Sequence, residues 1–129
     1  MTNLEIVKST YEGKTSEENG ENLKAYLAPD AQWAEAAGFP YAGTYTGIQE
    51  ISRNVFHRLA TEWIDYKFTP ENYITGDNQI AVTGTYTGTY KITMKPFAAR
   101  VVHVWDLRDG KIVRFEQFVD SKTVVEAMN

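Results

Sequence analysis

The chain lacks several features that would mark common functional classes. It contains no cysteine, so it has neither a disulfide framework nor a thiol nucleophile. No apolar run approaches the roughly 20 residues that a membrane-spanning helix needs. Basic residues are in the minority, 13 against 17 acidic ones, which argues against a nucleic-acid partner. No polybasic run indicates attraction to an anionic membrane surface.

Short catalytic motifs are scarce as well. Only two histidines are present, His57 and His103, and neither lies in a metal-ligand spacing. There is no Gly-x-Ser-x-Gly elbow and no Gly-rich phosphate loop, so we expect no metal, nucleotide or serine-nucleophile site. The N-terminus lacks the basic and apolar regions of a signal peptide, which makes a cytoplasmic location the default expectation.

Aromatic side chains are plentiful instead. Eight Tyr, six Phe and three Trp make up 13% of the chain. Such rings fill cores, and they also line cavities for small molecules. The length of 129 residues suits a single domain, residues 1–129, with one core.

Hydrophobic periodicity predicts helices in the first half and long strands in the second. The predicted helices cover residues 2–11, about 16–28, 46–61 and 121–128. The predicted strands cover residues 30–36, 63–73, 79–94, 101–107 and 112–120. Consecutive antiparallel strands with helices segregated to one side define an α+β domain. Gly84 and Gly88 inside the third strand predict strong coiling of the sheet, which would leave a cone able to hold a ligand.

A hairpin near the C-terminus carries the most specific local signal. Asp109-Gly110 lies between two runs rich in β-branched and aromatic residues, and both turn positions of such a hairpin must accept positive φ. A two-residue loop predicts three cross-strand pairs on one sheet face: Trp105–Arg114, His103–Glu116 and Val101–Phe118. Because side chains alternate with period 2, Asp120 is predicted on the same face.

Four segments carry a resemblance to a known family: Leu27–Trp33, Pro40–Gly47, Val82–Gly88 and His103–Asp120. They resemble the nuclear transport factor 2-like superfamily, in its SnoaL-like or ketosteroid-isomerase-related branch. The resemblance implies a cone-shaped, cystatin-like α+β barrel, in which a curved antiparallel sheet wraps around the N-terminal helices and one long helix. It also implies a deep apolar pocket, a homodimer packed through the sheet, and general acid/base chemistry without metal or organic cofactor.

The same resemblance implies roles for individual residues. Asp120 would be the acid/base at the end of the last strand, and His103 its partner on the neighbouring strand. Glu116, which is predicted opposite His103, would support them, because burial raises a carboxyl pKa. The residues expected to shape the pocket are Trp33, Tyr41, Tyr45, Phe56, Tyr86, Trp105, Arg114 and Phe118.

Each assignment also has a structural alternative. Asp120 can cap the C-terminal helix, and His103 with Glu116 can be an ordinary cross-strand pair. Trp105 can stack on Arg114, and the remaining aromatics can be core. We therefore hold two functional hypotheses. One is acid/base isomerisation, cyclisation or dehydration of a small apolar or aromatic carbonyl compound. The other is a non-catalytic domain of the same fold that binds a small hydrophobic ligand or, through its threonine-rich sheet face, a protein.

Overall fold

The computed structural model describes all residues from Met1 to Asn129. Its helices are α1 (Asn3–Ser9), α2 (Ser16–Tyr26), α3 (Gly47–Ile51), α4 (His57–Glu62) and α5 (Ser121–Ala127), and a π-helical segment, Ser52–Phe56, joins α3 to α4. Its strands are β1 (Leu27–Glu35), β2 (Gly43–Thr46), β3 (Trp63–Thr75), β4 (Gln79–Tyr90), β5 (Pro96–Arg108) and β6 (Lys111–Val119). None of the helices has the length and apolarity needed to cross a membrane.

The six strands form one sheet in the order β2-β1-β6-β5-β4-β3. The predicted α+β class with a curved sheet and helices is confirmed. The sheet is mixed, however, because β1 and β6 are parallel while all other neighbours are antiparallel. After β1 and β2, the chain forms β3, β4 and β5, and β6 then pairs with β1 in parallel. Strands β2 and β3 remain as free edges, so the sheet curves without closing.

The N-terminal helices begin where short polar residues predict. Thr2 and Glu5 form a reciprocal capping box at α1, in which each side chain accepts the other residue's backbone N–H. Thr15 caps α2 by accepting the Glu18 N–H. Asn19 and Gly20, residue types that often interrupt a helix, lie within the continuous helix α2.

The C-terminal hairpin has the predicted turn but not the predicted register. Asp109 and Gly110 both have positive φ, 50° and 75°. The pairs that follow the turn are Leu107–Ile112 and then Asp106–Arg114. Strand β6 therefore carries one extra residue, Val113, which is a β-bulge. A shift of one residue moves every later side chain of β6 to the opposite face of the sheet.

Two apolar clusters pack on the side of the sheet that faces the helices. The larger one joins α1, α2 and α3 to the strands, with Val7, Ile51 and Val82 fully buried. The second joins α5 to the far ends of β4 and β5 around Trp63. Leu59 packs against both clusters. The buried polar side chains of the chain lie where these clusters meet.

Gly84 provides a test of how closely β3 and β4 pack. An added Cβ would lie 2.5 Å from a ring carbon of Phe68 and closer still to the Thr69 carbonyl oxygen. We expect Gly84→Ala to lower the free energy of unfolding by about 3 kcal/mol, because overpacking forces the two strands apart. Urea denaturation measures the change. Gly20→Ala in α2, whose Cβ would meet nothing within 4 Å, is the control and should not destabilise. Equal stabilities would contradict the tight packing.

Candidate active site

Buried polar side chains gather at the junction of the two apolar clusters. Glu35, His103 and Gln117 are the buried polar or charged residues, with exposed fractions of 8%, 5% and 2%. Three tyrosines bring their hydroxyl groups to the same region. We call this set the interior polar cluster: Glu35, His103, Gln117, Tyr11, Tyr66 and Tyr86. Polar groups this deep are costly unless they are hydrogen-bonded, so each partner is informative.

His103 on β5 holds one tyrosine hydroxyl at each ring nitrogen. Its Nδ1 lies 2.6 Å from Tyr11 Oη, and its Nε2 lies 2.6 Å from Tyr86 Oη. The Trp105 indole N–H also donates to Tyr11 Oη, at 2.8 Å. On the other side, Gln117 Nε2 donates to Tyr86 Oη at 2.7 Å. One chain of hydrogen bonds thus runs from the turn after α1 through β5 and β4 to β6.

The His103 imidazole is neutral at physiological pH. Burial lowers its pKa to about 3, since a cation is poorly solvated among the neighbouring rings. The Phe68 ring lies 4.3 Å and the Phe115 ring 4.7 Å from the imidazole, centroid to centroid. A group with so low a pKa is a weak base at neutral pH. The geometry therefore suits His103 to orienting hydroxyls rather than to accepting protons from a substrate.

Glu35, at the end of β1, has the electrostatics of an acid/base at neutral pH. Burial raises its pKa to about 7, against a smaller opposing effect of the hydrogen bond from Trp33. The Trp33 indole N–H donates to Glu35 Oε1 at 3.2 Å. The second oxygen, Oε2, is buried and has no hydrogen-bond partner. A carboxylate with one oxygen held and the other unpartnered can accept a proton from a bound molecule.

Tyr66 and Tyr86 pack against each other within the electrostatic reach of this carboxyl group. Their rings are 5.2 Å apart, and the buried Tyr66 hydroxyl has no hydrogen-bond partner. Burial raises the pKa of Tyr66, and the negative charge of Glu35 raises it further. Burial, Tyr66 and then Glu35 raise the pKa of Tyr86. Both phenols consequently stay protonated, and they are suited to donating hydrogen bonds to an oxyanion.

A surface groove of about 410 Å³ leads toward the cluster. It is lined by Ser16, Phe56, Leu59, Ala60, Trp63, Asp65 and Tyr66, so Tyr66 belongs to both groove and cluster. The Phe56 ring packs edge-on against Trp33 at 5.4 Å, and Trp33 in turn holds Glu35. Aromatic rings thus separate the groove from the carboxyl group. Phe56 also ends the π-helical segment, a feature often found near functional sites.

Comparison with known proteins assigns the fold. A family model described as the SnoaL-like domain matches residues 7–115. The chain belongs to the SnoaL-like domain family. An NTF2-like protein from Burkholderia thailandensis is 42% identical, with a TM-score of 0.94 over 100% of this chain and 98% of that chain. No curated protein is similar to the chain at a significant level.

Two more distant structures share the SnoaL-like architecture. One is described as a candidate SnoaL-like polyketide cyclase from Jannaschia sp. CCS1, with 17% identity and a TM-score of 0.81 over 97% of this chain and 90% of that chain. The other has a ketosteroid isomerase-like fold, comes from Catenulispora acidiphila and is in complex with trimethylamine. It is 20% identical, with a TM-score of 0.77 over 98% of this chain and 93% of that chain. The predicted superfamily is confirmed.

Three residues predicted for the site of this SnoaL-like protein lie on the outer face of the sheet. They are Arg114, Glu116 and Phe118, which the bulge turns away from the helices. The observed pairs are His103–Gln117, Trp105–Phe115 and Val102–Phe118, so the predicted pairs were wrong by one residue. Arg114 and Glu116 form an ion pair at 2.9 Å, and Phe118 is 50% exposed.

Asp120 also lies outside the interior. Its Oδ1 accepts the Thr123 N–H at 3.2 Å and its Oδ2 accepts the Thr123 hydroxyl at 2.6 Å, which caps α5. The hydrogen bond from the Thr123 side chain, followed by that from its backbone, lowers the pKa of Asp120. The capping alternative is therefore confirmed. An exposed carboxylate with a lowered pKa is a poor acid/base at neutral pH, and Glu35 is the better candidate.

The predicted pocket aromatics lie inside, but mostly as packing. Trp33, Tyr41, Tyr86 and Trp105 are buried, while Tyr45 and Phe56 are partly exposed. Tyr41 donates to Glu62 at 2.6 Å, and Tyr45 donates to the Tyr41 carbonyl oxygen at 2.8 Å. The resemblance implied a deep, open pocket. The structure differs from that expectation, because none of the five main surface grooves is lined by Glu35 or His103.

Four members of the interior polar cluster escaped the sequence analysis: Glu35, Tyr11, Tyr66 and Gln117. For Glu35 a signal was present. Ala31, Trp33 and Glu35 alternate along β1, and all three are buried. Side chains two apart share a face, so a carboxylate that continues an apolar stripe indicates a buried acid.

Proposed function

We propose that this SnoaL-like protein moves a proton to and from carbon on a small apolar or aromatic carbonyl compound. Glu35 is the base, and the hydroxyls of Tyr66 and Tyr86 stabilise the oxygen that becomes negative. The observation that carries this proposal is the buried Glu35 carboxyl group, whose Oε2 has no partner and whose charge acts on two protonated phenols.

The chemistry follows from these groups. Carboxylate Oε2 takes a proton from the carbon next to the carbonyl group, and the C–H electron pair becomes part of an enolate. Hydrogen bonds from Tyr66 and Tyr86 stabilise the enolate oxygen. Return of the proton from Glu35 to another carbon completes an isomerisation. In a dehydration, the neighbouring hydroxyl group leaves as water with the proton from Glu35. In a cyclisation, the enolate carbon attacks a second carbonyl group, and the oxygen of that group takes the proton.

The pKa of about 7 supports this role of Glu35. Near neutral pH such a group is partly ionised, so it can take up a proton and then return it without a large energetic penalty in either step. An ordinary exposed glutamate, with its pKa about 4.3, is a weaker base and takes a proton from carbon less readily.

The groove supports an apolar or aromatic substrate. Its wall contains Phe56, Trp63 and Tyr66, whose faces suit flat, weakly polar molecules. Because Phe56 lines the groove and packs on Trp33, which holds Glu35, a rotation of the Phe56 side chain would open the groove toward Glu35. A structural neighbour at 24% identity, TerC, was co-crystallised with polyporic acid, which is in keeping with a small organic ligand here. The sheet-mediated homodimer and the cytoplasmic location stay predictions.

Deuterium exchange tests the proposal directly. We expect the protein to accelerate exchange of hydrogens next to the carbonyl group of small aromatic ketones in D₂O by at least about a hundredfold over buffer. Proton NMR of the ketone measures the exchange across a panel of compounds. Saturable binding without exchange would favour the non-catalytic ligand-binding alternative. The absence of both binding and exchange would favour a protein-interaction domain.

A further inference from the structure

The amide of Gln117 determines what the Tyr86 hydroxyl does in the hydrogen-bond chain. Gln117 Oε1 lies 3.1 Å from the backbone nitrogen of Ala36, which can only donate. The carbonyl oxygen of the amide must therefore face Ala36, and its NH₂ group must face Tyr86. Tyr86 Oη consequently accepts one hydrogen bond from Gln117.

Tyr11 Oη accepts a hydrogen bond for a similar reason, because the Trp105 indole nitrogen can only donate. The two phenols, each with one donor already fixed, then meet the two nitrogens of His103. A neutral imidazole has one N–H and one acceptor nitrogen. The two contacts with His103 use two protons, while Tyr11, Tyr86 and His103 together carry three. One phenol proton is left over, and it must point away from this series of hydrogen bonds.

The surroundings decide which phenol has the free proton. Tyr11 is enclosed by rings, with Phe68 at 5.0 Å and Tyr73 at 6.3 Å between centroids, so a free proton there would lack an acceptor. A buried donor without an acceptor costs about 1–3 kcal/mol. The Tyr86 ring instead lies 5.2 Å from that of Tyr66, whose buried hydroxyl also has no partner. An oxygen atom of a bound molecule could accept from both phenols there, so we assign the free proton to Tyr86.

We propose that His103 is a positioning residue: it donates from Nε2 to Tyr86 and accepts at Nδ1 from Tyr11, which leaves the Tyr86 hydroxyl proton free to donate to the oxygen of a bound molecule. Tyr11 acts indirectly: its hydroxyl donates to Nδ1, and the imidazole proton therefore lies on Nε2. The hydroxyl is thus aligned before any substrate binds. The catalytic consequence rests on the proposed function, whereas the tautomer does not.

Nitrogen NMR on protein labelled with ¹⁵N-histidine tests the tautomer without a substrate. We expect His103 to carry its proton on Nε2, and to show a non-protonated Nδ1, throughout pH 5–9 (a range of roughly two units on either side of neutrality). The exposed His57 gives the other signal, which His57→Gln removes for assignment. An Nδ1–H tautomer, or an imidazolium ion in this range, would overturn the proposal.

Two amide substitutions of His103 test its effect on Tyr86. The His103→Gln amide nitrogen reaches the position of Nε2 and can donate to Tyr86, whereas the shorter His103→Asn amide reaches only the Nδ1 side. We expect the glutamine variant to keep kcat within about tenfold. The asparagine variant should lose about a hundredfold, with KM little changed, as when one oxyanion donor is lost. Equal losses of kcat in both folded variants would overturn the positioning role.

A matched pair of phenylalanine variants separates positioning from packing. Tyr11→Phe removes the proton that fixes the tautomer, so we expect the Nδ1 and Nε2 signals to change and kcat to fall about tenfold or more. Tyr73→Phe is the control, because its hydroxyl donates to Glu12 near the surface at 2.6 Å. It should leave both readouts unchanged. If the NMR result holds but the wild-type protein catalyses no exchange, the proposed function fails and the tautomer assignment stands.

Discussion

Glu35→Gln is expected to lower kcat by at least about a hundredfold without unfolding the protein. Glutamine keeps the volume of the side chain, and its carbonyl oxygen can still accept the Trp33 indole N–H. It cannot take up a proton from carbon. At pH 5 the wild-type carboxyl group is itself neutral, because its pKa is about 7. The two proteins should therefore have similar unfolding midpoints at that pH, and the loss of rate can be assigned to chemistry.

Asp120→Asn distinguishes Glu35 from the acid/base first expected from the sequence. Asparagine is also a good N-cap, so the α5 terminus and the free energy of unfolding should change little. We expect turnover to persist, because Asp120 is exposed and hydrogen-bonded to Thr123. Deuterium exchange and urea denaturation on both variants provide the comparison. Loss of exchange in Asp120→Asn together with its retention in Glu35→Gln would reverse our assignment.

The sequence predicted the hairpin turn but placed the wrong residues inside, and the reason is instructive. A regular register after Asp109-Gly110 would turn Arg114 and Glu116 toward the helices. Burying two charges costs more than interrupting one ladder of hydrogen bonds, so the bulge at Val113 is favoured. It brings Phe115 and Gln117 inside instead. Two charged residues at inward positions of an otherwise apolar strand can thus serve as a sequence signal for a bulge.

The acid of the site was missed for a different reason. Sequence rules assign charged residues to the surface, but Glu35 is buried. This burial raises the pKa of its carboxyl group and makes it a candidate acid/base. Tyr66 was missed because its direction depends on a local irregularity. Asp65 has a positive φ of 53°, and the β3–β4 register shifts between Ile64 and Lys67. Helix caps and turns are local and could be predicted, whereas the site depends on such departures from regular strands.

Two buried groups should make the free energy of unfolding depend on pH, and their effects have opposite directions. Glu35 has a raised pKa, from 4.5 to about 7, so the folded state holds a proton that the unfolded chain releases. Its contribution is present below pH 4.5 and is lost as the pH rises through 7, by about 3 kcal/mol in all. His103 has a lowered pKa, from 6.5 to about 3. Its contribution is present above pH 6.5 and is lost as the pH falls toward 3, by about 5 kcal/mol.

Between about pH 4.5 and 6.5 these two effects oppose each other, so the wild-type free energy of unfolding should vary little with pH from these groups. Glu35→Gln leaves only the histidine effect, and its stability relative to the wild type should rise as the pH rises. His103→Gln leaves only the carboxyl effect, and its relative stability should fall over the same interval. Urea denaturation in half-unit steps of pH measures both differences, and contributions from exposed carboxylates cancel in each. Difference curves that are flat, or that slope the same way, would contradict a folded state in which Glu35 is protonated and His103 is neutral over this interval. The acid/base role of Glu35 and the positioning role of His103 both depend on that state.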